Sequence, residues 1–337
     1  MKSLKSTIIL AVSSTLCAGL FAGMVQAETV LKVASVAPAT SPWGKWMQTA
    51  ADKISEASKG ELTLDLVMGG QAGDEQTIVR QTMKGRLDIA LVSNVPLTLV
   101  AQEMAIASSA YLFDSVEQGT CVAHQHLATE LGALMSDSGL YPLTWMEVGQ
   151  YVIFSKEALN GPEDLKGKKV RTAPTPADAA FAKALGFSSV PLGVADAIPA
   201  LQTGNVDAAV FPTVYGIAIG THKVAPHVTV TNHSRLIGSI AMSKRSWGKL
   251  STGEQAILEG TFKAMGPALT KGILGAEQAL LGQLEAAGLP VNRLSDEQTQ
   301  AWRAASAGTL ESLVSDVGGS ASVIADAIAK AKVECGS

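Results

Sequence analysis

Clustered positive charge is missing from this sequence. Its 26 Lys and Arg residues are outnumbered by 30 Asp and Glu, and the net charge is −4. Nucleic-acid backbones are bound by clustered basic side chains, so nucleic acid is not an expected partner. Catalytic motifs are missing as well: no G-x-S-x-G, H-E-x-x-H, G-x-x-x-x-G-K-[ST] or G-x-G-x-x-G pattern occurs. We therefore expect a protein that is not an enzyme and that holds no cofactor or metal.

Long apolar runs are limited to the N-terminus. Ile8–Val25 is apolar, Lys2 and Lys5 precede it, and Val25-Gln26-Ala27 is a small-x-small cleavage site. This order is typical of a secretory signal peptide over residues 1–27, with cleavage after Ala27 and export to the periplasm. The alternative is an uncleaved membrane anchor, because the run is nearly long enough to span a bilayer.

Cysteine is scarce, and its number is informative. After cleavage of the segment that holds Cys17, two cysteines remain, Cys121 and Cys335. In an oxidising compartment we expect them to form a disulfide, although two free thiols are the alternative. The nearest approach to a metal motif is His124-x-His126, but side chains two positions apart on a helix point in different directions, so no metal site is predicted.

Strand-like and helix-like segments alternate along the chain. Ser41-Pro42 reads as a helix cap followed by proline at the first helical position. The first half predicts strands at 30–36, 61–68 and 87–92 and helices at 43–58 and 74–84. This βαβαβ order favours a mostly parallel sheet flanked by helices.

The second half repeats the pattern and ends in helices. We predict a strand at 170–172, helices at 176–185 and 194–203, a long helix from the cap Ser251 to about Ala287, and another that opens at Ser295. Gly85-Arg86-Leu87-Asp88-Ile89-Ala90 is matched by Gly204-Asn205-Val206-Asp207-Ala208-Ala209. In both, a helix stops at glycine and the chain turns through Asp into an apolar strand. Two such units suggest two lobes of similar topology.

Four stretches of the sequence match the motifs of one known family. Gly69-Gly70-Gln71-Ala72-Gly73-Asp74-Glu75 is similar to the family's G-G-Q-L-G-D-E, and residues 85–90 to its G-x-L-D-M-A. The sequence PEDLKGKKVR at 162–171 resembles P-E-D-L-K-G-L-K-I-R, and residues 242–255 resemble V-S-K-x-x-W…L-S-P-E-E-Q. The order and spacing of these stretches make the resemblance specific. The chain resembles the DctP family, the solute-binding proteins of TRAP (tripartite ATP-independent periplasmic) transporters.

The resemblance implies a two-lobed α/β fold of the periplasmic-binding-protein type, similar to type II. Each lobe would hold a mostly parallel sheet flanked by helices, and the long helix would span both lobes. We assign 28–148 plus 238–270 to lobe I and 149–237 plus 271–337 to lobe II. The ligand would lie in the cleft between them.

The resemblance also assigns a role to Arg171, because the family's arginine at the end of this strand binds the carboxylate of the ligand. A guanidinium pairs with both carboxylate oxygens and stays charged. The family's common second arginine is replaced here by Gly149-Gln150-Tyr151. The other residues that we expect to contact the ligand are Gln150, Tyr151, Phe211, Trp43, Glu75 and Asn94.

These residues predict a receptor that captures an organic acid and delivers it to the small and large TRAP permease subunits. With one cleft arginine, we expect a monocarboxylate with an apolar or aromatic body, or a small keto or hydroxy acid, over a four-carbon dicarboxylate. We expect a monomer. The alternatives are a ligand-sensing receptor that feeds a sensor kinase and an exported enzyme on the same fold.

Overall fold

The computed structural model describes residues 28–135 and 137–336. The predicted signal peptide, residues 1–27, lies outside the described residues. Among the helices that are described, none has the length and apolarity needed to cross a membrane.

The first half of the chain forms the predicted βαβαβ unit. Ser41 Oγ accepts a hydrogen bond from the backbone N–H of Gly44, so the first helix begins at its predicted cap. Asp74, predicted as the first residue of the second helix, is its N-cap, and its side chain accepts a hydrogen bond from the backbone N–H of Thr77. The three strands are parallel in the order β2-β1-β3. The elements are β1 Thr29–Ala34, α1 Pro42–Ala57, β2 Leu62–Val67, α2 Glu75–Met83 and β3 Ile89–Ser93.

Short helical segments follow and lead to a long strand. They are α3 Asn94–Leu97, a 3-10 segment Gln102–Ser108, α4 Val116–Cys121, a π-helical turn Val122–His126, and α5 Leu127–Met135. The long strand is β4, Leu140–Ser155, with 16 residues.

The second half contains another parallel unit and then a mainly helical C-terminal region. Its first part comprises a 3-10 turn Pro162–Leu165, β5 Lys169–Thr172, α6 Pro176–Leu185, β6 Ser188–Pro191, α7 Val194–Thr203, β7 Ala208–Pro212, α8 Thr213–Ala218, a 3-10 turn Thr221–Lys223, β8 His227–Val230 and β9 Arg235–Ser243. The last part comprises α9 Lys244–Trp247, α10 Thr252–Ala286, β10 Val291–Arg293, α11 Asp296–Ala305, α12 Thr309–Val317 and α13 Ala321–Cys335.

The sheet is mixed, in the order β2-β1-β3-β9-β4-β7-β5-β6. Parallel strands lie at both ends, and β9 and β4 run antiparallel to their neighbours in the middle. The α/β class is confirmed. The sheet is less parallel than the alternation predicts, because β4 and β9 return through the middle of the molecule. The first part of β4 pairs with β9, and Tyr151–Ser155 pairs with β7.

The two Gly-x-x-Asp units have the same local structure. Gly85 and Gly204 have φ values of 71° and 78°, the left-handed conformation that favours glycine. Asp88 Oδ2 then accepts a hydrogen bond from the backbone N–H of Lys32 at 2.8 Å, and Asp207 Oδ2 accepts one from Lys169 at 2.9 Å. Each aspartate therefore fastens its strand to the neighbouring parallel strand.

The long helix α10 packs on both halves of the sheet. It has 35 residues, a Ser251 N-cap and a capping box with Glu254, so the predicted bounds are confirmed. At about 1.5 Å per residue it is roughly 50 Å long. Its first part shares an apolar cluster with α1, and the ring centroids of Phe262 and Trp46 are 5.8 Å apart. Further along, Leu281 and Leu284 pack in the cluster that contains Phe154 of β4.

Three buried charged groups lie where β4 passes from one pairing partner to the next. Glu147 Oε2 accepts a hydrogen bond from Arg235 Nη2, and both side chains are buried. Glu277 Oε1 of α10 accepts one from the Gln150 backbone N–H at 2.6 Å. Burial raises the pKa of Glu277 to about 8, and the nearby charge of Glu147 adds to the rise.

The C-terminal helix α13 packs beside the first half of the chain. Cys335 forms a disulfide with Cys121 across a separation of 214 residues, as predicted. Ile324 and Ile328 lie in the apolar cluster of α2, α3 and α5. The proposed division into lobes places this helix in lobe II. It packs on α12, which is assigned to that lobe, and also on α4 and α5, which are assigned to lobe I.

Candidate functional site

Arg171 lies near the carboxyl end of an interior strand. On β5, between the parallel strands β6 and β7, it lies opposite Val190 and Ala209. Pro174 follows and lies outside the strand. In open α/β sheets, ligands bind at the edge formed by the carboxyl ends of parallel strands. The fold therefore carries a charged side chain to the edge where a ligand is expected.

Backbone carbonyls and an aromatic ring fix the orientation of Arg171. Nε and Nη2 donate to the Leu192 carbonyl at 3.0 and 2.8 Å, and Nη1 donates to the Val210 carbonyl at 2.8 Å. The guanidinium carbon is 4.1 Å from the centroid of the Phe211 ring. Arg171 is 3% exposed, and burial lowers its pKa. Cation–π contacts are strongest where water is excluded.

Two donors of Arg171 remain for a ligand. A guanidinium group has five N–H donors, and the carbonyls of Leu192 and Val210 take three of them. One N–H on each terminal nitrogen has no hydrogen-bond partner among the described residues. A carboxylate presents two oxygens and is suited to accept from both nitrogens.

The opposite wall comes from the first half of the chain. Glu75, the first residue of α2, is half-buried. Its Oε1 accepts a hydrogen bond from the Ser93 backbone N–H at 2.7 Å, and its Oε2 accepts one from the Ser93 hydroxyl at 2.8 Å. Burial raises the pKa of Glu75, while these hydrogen bonds and the charge of Arg171 act in the opposite direction. Each carboxylate oxygen keeps further acceptor capacity for a ligand donor.

Two tyrosine hydroxyls also line the site. Tyr151 on β4 is 4% exposed. Tyr215 on α8 has its ring centroid 6.5 Å from that of Trp43 and 6.1 Å from that of Phe211. Neither hydroxyl has a hydrogen-bond partner within the part of the chain that the structure describes. Burial raises the pKa of both groups, so each O–H stays available as a donor.

These side chains enclose a cavity of ≈ 60 Å³. Four of the predicted site residues line it: Arg171, Glu75, Tyr151 and Phe211. Arg171 is the single cationic side chain among the described residues of this lining, which also includes Asp74.

Trp43 and Asn94 lie beside this cavity. Trp43 lines an adjoining space of ≈ 40 Å³ that shares Glu75 and Tyr215 with the cavity, and its Nε1 donates to the Glu147 carbonyl at 3.1 Å. Asn94 lines a space of ≈ 10 Å³ with Tyr151. Its Nδ2 already donates to Ser108 Oγ at 2.7 Å. The structure therefore places both residues next to the site and gives both a role in packing.

Gln150 lies on the other side of β4. Successive side chains of a strand point to opposite faces, so Tyr151 lines the Arg171 cavity and Gln150 lines a separate one. The structure therefore does not bring Gln150 together with Arg171. The segment Gly149-Gln150-Tyr151, which stands where the family commonly has a second arginine, thus contributes one side chain to the site, Tyr151.

Three residues of the site were not predicted from the sequence. Tyr215 and Ser93 line the cavity. Asp178 lies behind Tyr151, where Oδ2 accepts a hydrogen bond from the Thr175 hydroxyl at 2.5 Å and burial raises its pKa to about 6. Tyr215 comes soon after the end of β7, much as Asn94 comes after the end of β3. This position after a strand is the signal in the sequence that could have identified Tyr215.

The chain has relatives among known proteins. The model of the family "Bacterial extracellular solute-binding protein, family 7" (DctP) matches residues 33–316. The chain belongs to the DctP family. The sialic acid-binding periplasmic protein SiaP of Vibrio cholerae is 24% identical over 80% of this chain and 84% of its own length. The ectoine-binding periplasmic protein TeaA of Halomonas elongata is 29% identical over 50% of each chain.

Solved structures share the fold of this DctP-family protein. The sugar acid binding protein DctPAm of Advenella mimigardefordensis, in complex with galactonate, superposes with a TM-score of 0.85 and 22% identity over 90% of this chain and 99% of that one. A TRAP periplasmic solute-binding protein of Ralstonia eutropha with bound (S)-2-acetolactate gives a TM-score of 0.82 and 23% identity over 91% and 98%. The family and these neighbours are solute-binding receptors and not enzymes.

A group of possible metal ligands in this DctP-family protein has another explanation. Cys121, His126 and Cys335 lie within 4.8 Å of one another. The two sulfur atoms are bonded to each other, and His126 Nδ1 is 3.3 Å from Glu334 Oε2. Metal ligation requires thiolates, so this group is a disulfide beside a contact between His126 and Glu334.

Proposed function

We propose that this DctP-family protein captures a small hydroxy or keto monocarboxylate and delivers it to the small and large subunits of a TRAP permease. The capture site is the cavity between Arg171 and Glu75. The receptor acts in the periplasm as a monomer, after removal of residues 1–27.

The observation that carries this proposal is that one N–H on each terminal nitrogen of Arg171 has no hydrogen-bond partner within the described part of the chain. Hydrogen bonds to Leu192 and Val210 aim the guanidinium before the ligand arrives. The site therefore loses little side-chain entropy on binding. A bidentate contact between a buried guanidinium and a carboxylate anchors one acid group and discriminates against neutral analogues.

The rest of the lining disfavours a second acid group. A dicarboxylate would place its second carboxylate toward Glu75 and Asp74, with no other cationic side chain among the described lining residues. A desolvated charge without a partner is costly, and a like charge nearby adds to the cost. Hydroxyl or keto groups match this wall better, because Glu75 accepts and the hydroxyls of Tyr151 and Tyr215 donate.

The space available favours a small ligand over one with an aromatic body. One water molecule needs roughly 10–15 Å³ of cavity volume. The Arg171 cavity of ≈ 60 Å³ therefore accommodates a molecule with few heavy atoms. The Phe211 ring is already covered by Arg171. Among structural neighbours, one protein binds (S)-2-acetolactate and another, from Polaromonas, binds D-erythronate, and both ligands are hydroxy acids with a single carboxylate.

Ligand binding would stabilise a closed arrangement of the two lobes. Arg171 comes from the second half of the chain and Glu75 from the first, so a ligand that contacts both favours closure by its differential affinity for the closed state. The permease subunits would then recognise the closed, loaded receptor.

A thermal-shift screen tests this proposal. The protein is unfolded, dialysed to remove bound solute and refolded, and then screened against hydroxy, keto, aromatic and sugar acids, dicarboxylates and neutral amides. Bound ligand raises the apparent stability by mass action. We expect shifts for small hydroxy or keto monocarboxylates and none for the matching amides. Shifts confined to dicarboxylates, or shared by the amides, would contradict the proposal.

A further inference from the structure

A second cavity lies behind the strand that carries Tyr151. Its volume is ≈ 140 Å³, larger than that of the Arg171 cavity. Four segments build it: the loop at 109–116, Gln150 of β4, residues 232–235 at the start of β9, and Arg303 of α11. The cavity therefore lies at the point where the chain crosses between the two halves of the sheet.

Gln150 directs an unused amide into this cavity. Its backbone N–H donates to Glu277 and its carbonyl accepts from Thr213 at 3.1 Å, so the strand is held on both sides. Gln150 is only 8% exposed. Its amide oxygen and nitrogen have no hydrogen-bond partner among the described residues. The amide atoms are accessible from the cavity, so they are available to a ligand that enters it.

Two arginines face the same space. Gln150 lies directly opposite Arg235 across the β4–β9 pair, so both side chains lie on one face of the sheet. Arg235 is 4% exposed, and its buried Nε has no hydrogen-bond partner among the residues that the structure describes. The guanidinium carbon of Arg303 lies 4.9 Å from the Tyr111 ring centroid, and its Nη2 donates to the Phe113 carbonyl at 3.4 Å. That leaves most of its five N–H donors unused.

Negative charge is scarce around this cavity. Asp114 is the acidic residue among its described lining, and Lys332 Nζ lies 3.1 Å from Asp114 Oδ2. His233 lines the cavity with a ring that burial keeps neutral, with a pKa lowered to about 3. Glu147 lies on the far side of Arg235 and is paired with its Nη2. The cavity therefore offers donors and positive charge in excess of acceptors.

We propose that this cavity is a second binding site, for a small oxyanion such as phosphate, sulfate or a short carboxylate. Arg303 supplies the charged donors, the Gln150 amide supplies a neutral donor, and the Ser109 hydroxyl, buried without a partner, supplies another. Tyr111 forms part of the cavity wall and is held in place by two hydrogen bonds. Its backbone N–H donates to the His233 carbonyl at 2.6 Å, and its hydroxyl donates to the Thr231 carbonyl at 3.1 Å.

Binding of inorganic phosphate, measured by calorimetry on the full chain without residues 1–27, tests this proposal. The variants are Gln150→Leu and Arg303→Met, which remove donors and keep volume. Arg293→Met is the matched control, because Arg293 is an exposed arginine that pairs with Glu285 at 2.6 Å outside the cavity. Arg171→Met distinguishes this site from the first. Circular dichroism checks the fold of each variant.

We expect saturable phosphate binding by the wild type, Arg293→Met and Arg171→Met proteins, and at least tenfold weaker binding by Gln150→Leu and Arg303→Met. If Gln150→Leu does not fold, Arg303→Met alone decides, because its side chain is half-buried. The proposal would be overturned by an absence of phosphate binding, by wild-type affinity in both cavity variants, or by a loss of binding confined to Arg171→Met. The last result would assign the anion to the first cavity and leave the proposed function standing.

Discussion

At the residue scale, Arg171 stabilises the fold and is available to a ligand at the same time. Its bonds to Leu192 and Val210 join the end of β5 to its two neighbouring strands. From the sequence alone, Arg171→Ala is expected to leave the melting temperature of the apo protein nearly unchanged. The structure favours a different prediction, a lower melting temperature, because the substitution removes the donors to two carbonyls, at a cost of about 1–3 kcal/mol each where they are buried.

Arg171→Lys separates the two roles better. Lysine keeps the charge but cannot hold two backbone carbonyls and a bidentate carboxylate at once. We expect the loss of about one charge-assisted hydrogen bond to the ligand, about 1.5–3 kcal/mol, which is roughly a 10- to 100-fold rise in Kd. Calorimetry with the best acid from the screen measures this. Unchanged affinity in Arg171→Lys would show that Arg171 does not contact the carboxylate.

Glu277 predicts a pH dependence of stability. Burial raises its pKa from the ordinary 4.5 to about 8, so the folded protein holds a proton that the unfolded chain releases above about pH 4.5. Between pH 4.5 and 8 the free energy of unfolding should therefore fall with rising pH, by up to about 1.4 kcal/mol per pH unit from this group. Above pH 8 this contribution is lost.

Glu277→Gln tests this assignment, because glutamine keeps an oxygen to accept the Gln150 N–H. Urea unfolding at pH 5, 6.5 and 8 should show a smaller decline in the variant than in the wild type. Buried Asp178, with its pKa raised to about 6, supplies a decline of the same sign that both proteins share. Parallel curves for the two proteins would show that Glu277 is not the group responsible.

At the element scale, the sequence predicts most helices and strands because their ends carry local signals. Ser41, Thr175 and Ser295 cap helices that the sequence predicts to begin at or just after them. Asp74, predicted as the first residue of its helix, is the N-cap. The Gly-x-x-Asp units predict equivalent strand entries, because in both units the helix ends at a glycine with positive φ. The aspartate bonds to Lys32 and Lys169 join residues far apart in sequence. The contacts among the strands could not be predicted this way, because the antiparallel pairing of β4 and β9 joins residues far apart in sequence.

Within the site, the sequence does not predict on which face of the sheet each side chain of a strand lies. A change of one position moves a strand side chain to the opposite face. Gln150 was therefore expected in the ligand cavity and lies behind it. The register shift in β4 between Glu147 and Gly149 leaves no sequence pattern that alternation alone would detect. Tyr215 was missed because it comes from α8, a helix with no predicted bounds.

The backbone conformation of β4 at position 149 requires glycine. Its φ is 117°, and an added Cβ would collide with Oε1 of Glu277. We expect Gly149→Ala to lower the free energy of unfolding by about 2–4 kcal/mol, from backbone strain and from displacement of Glu277. Denaturant unfolding measures the change.

Gly260→Ala is the matched control. Gly260 is an exposed glycine inside α10, and an added Cβ there meets nothing within 4 Å. Alanine at such a position should stabilise the helix by about 0.5–1 kcal/mol. Equal effects of the two substitutions would contradict the role that we give to Gly149.

At the scale of the whole molecule, the disulfide joins the C-terminal helix to α4. Because Cys121 and Cys335 are separated by 214 residues, their bond restricts a long loop of the unfolded chain. We expect Cys335→Ser, or reduction of the wild type, to lower the free energy of unfolding by about 2–5 kcal/mol. Ligand affinity should stay unchanged, since neither cysteine lines the Arg171 cavity.

The control for the disulfide is the Cys335→Ser protein with and without reductant, which should unfold at the same denaturant concentration. The account would be contradicted if the oxidised and reduced wild-type proteins also unfolded together.

The division into two lobes is a proposal at this scale. Arg171 and Glu75 come from different halves of the chain and α10 packs on both, which supports a cleft between two lobes. The sequence assigned 271–337 to the second lobe by position in the chain. The apolar contacts of α13 and its disulfide to α4 depend on packing between distant residues, which no local pattern encodes.

The most direct test of the central claim is a calorimetric comparison of two acids that differ by one acid group. Lactate and malate share a 2-hydroxy acid head, and malate adds a second carboxylate. With one cationic side chain among the described lining residues, we expect lactate to bind at least tenfold more tightly than malate, and Arg171→Lys to weaken the binding of lactate. Tighter binding of malate would contradict the proposed site, because the second carboxylate would then need a cationic partner that the described lining residues do not supply.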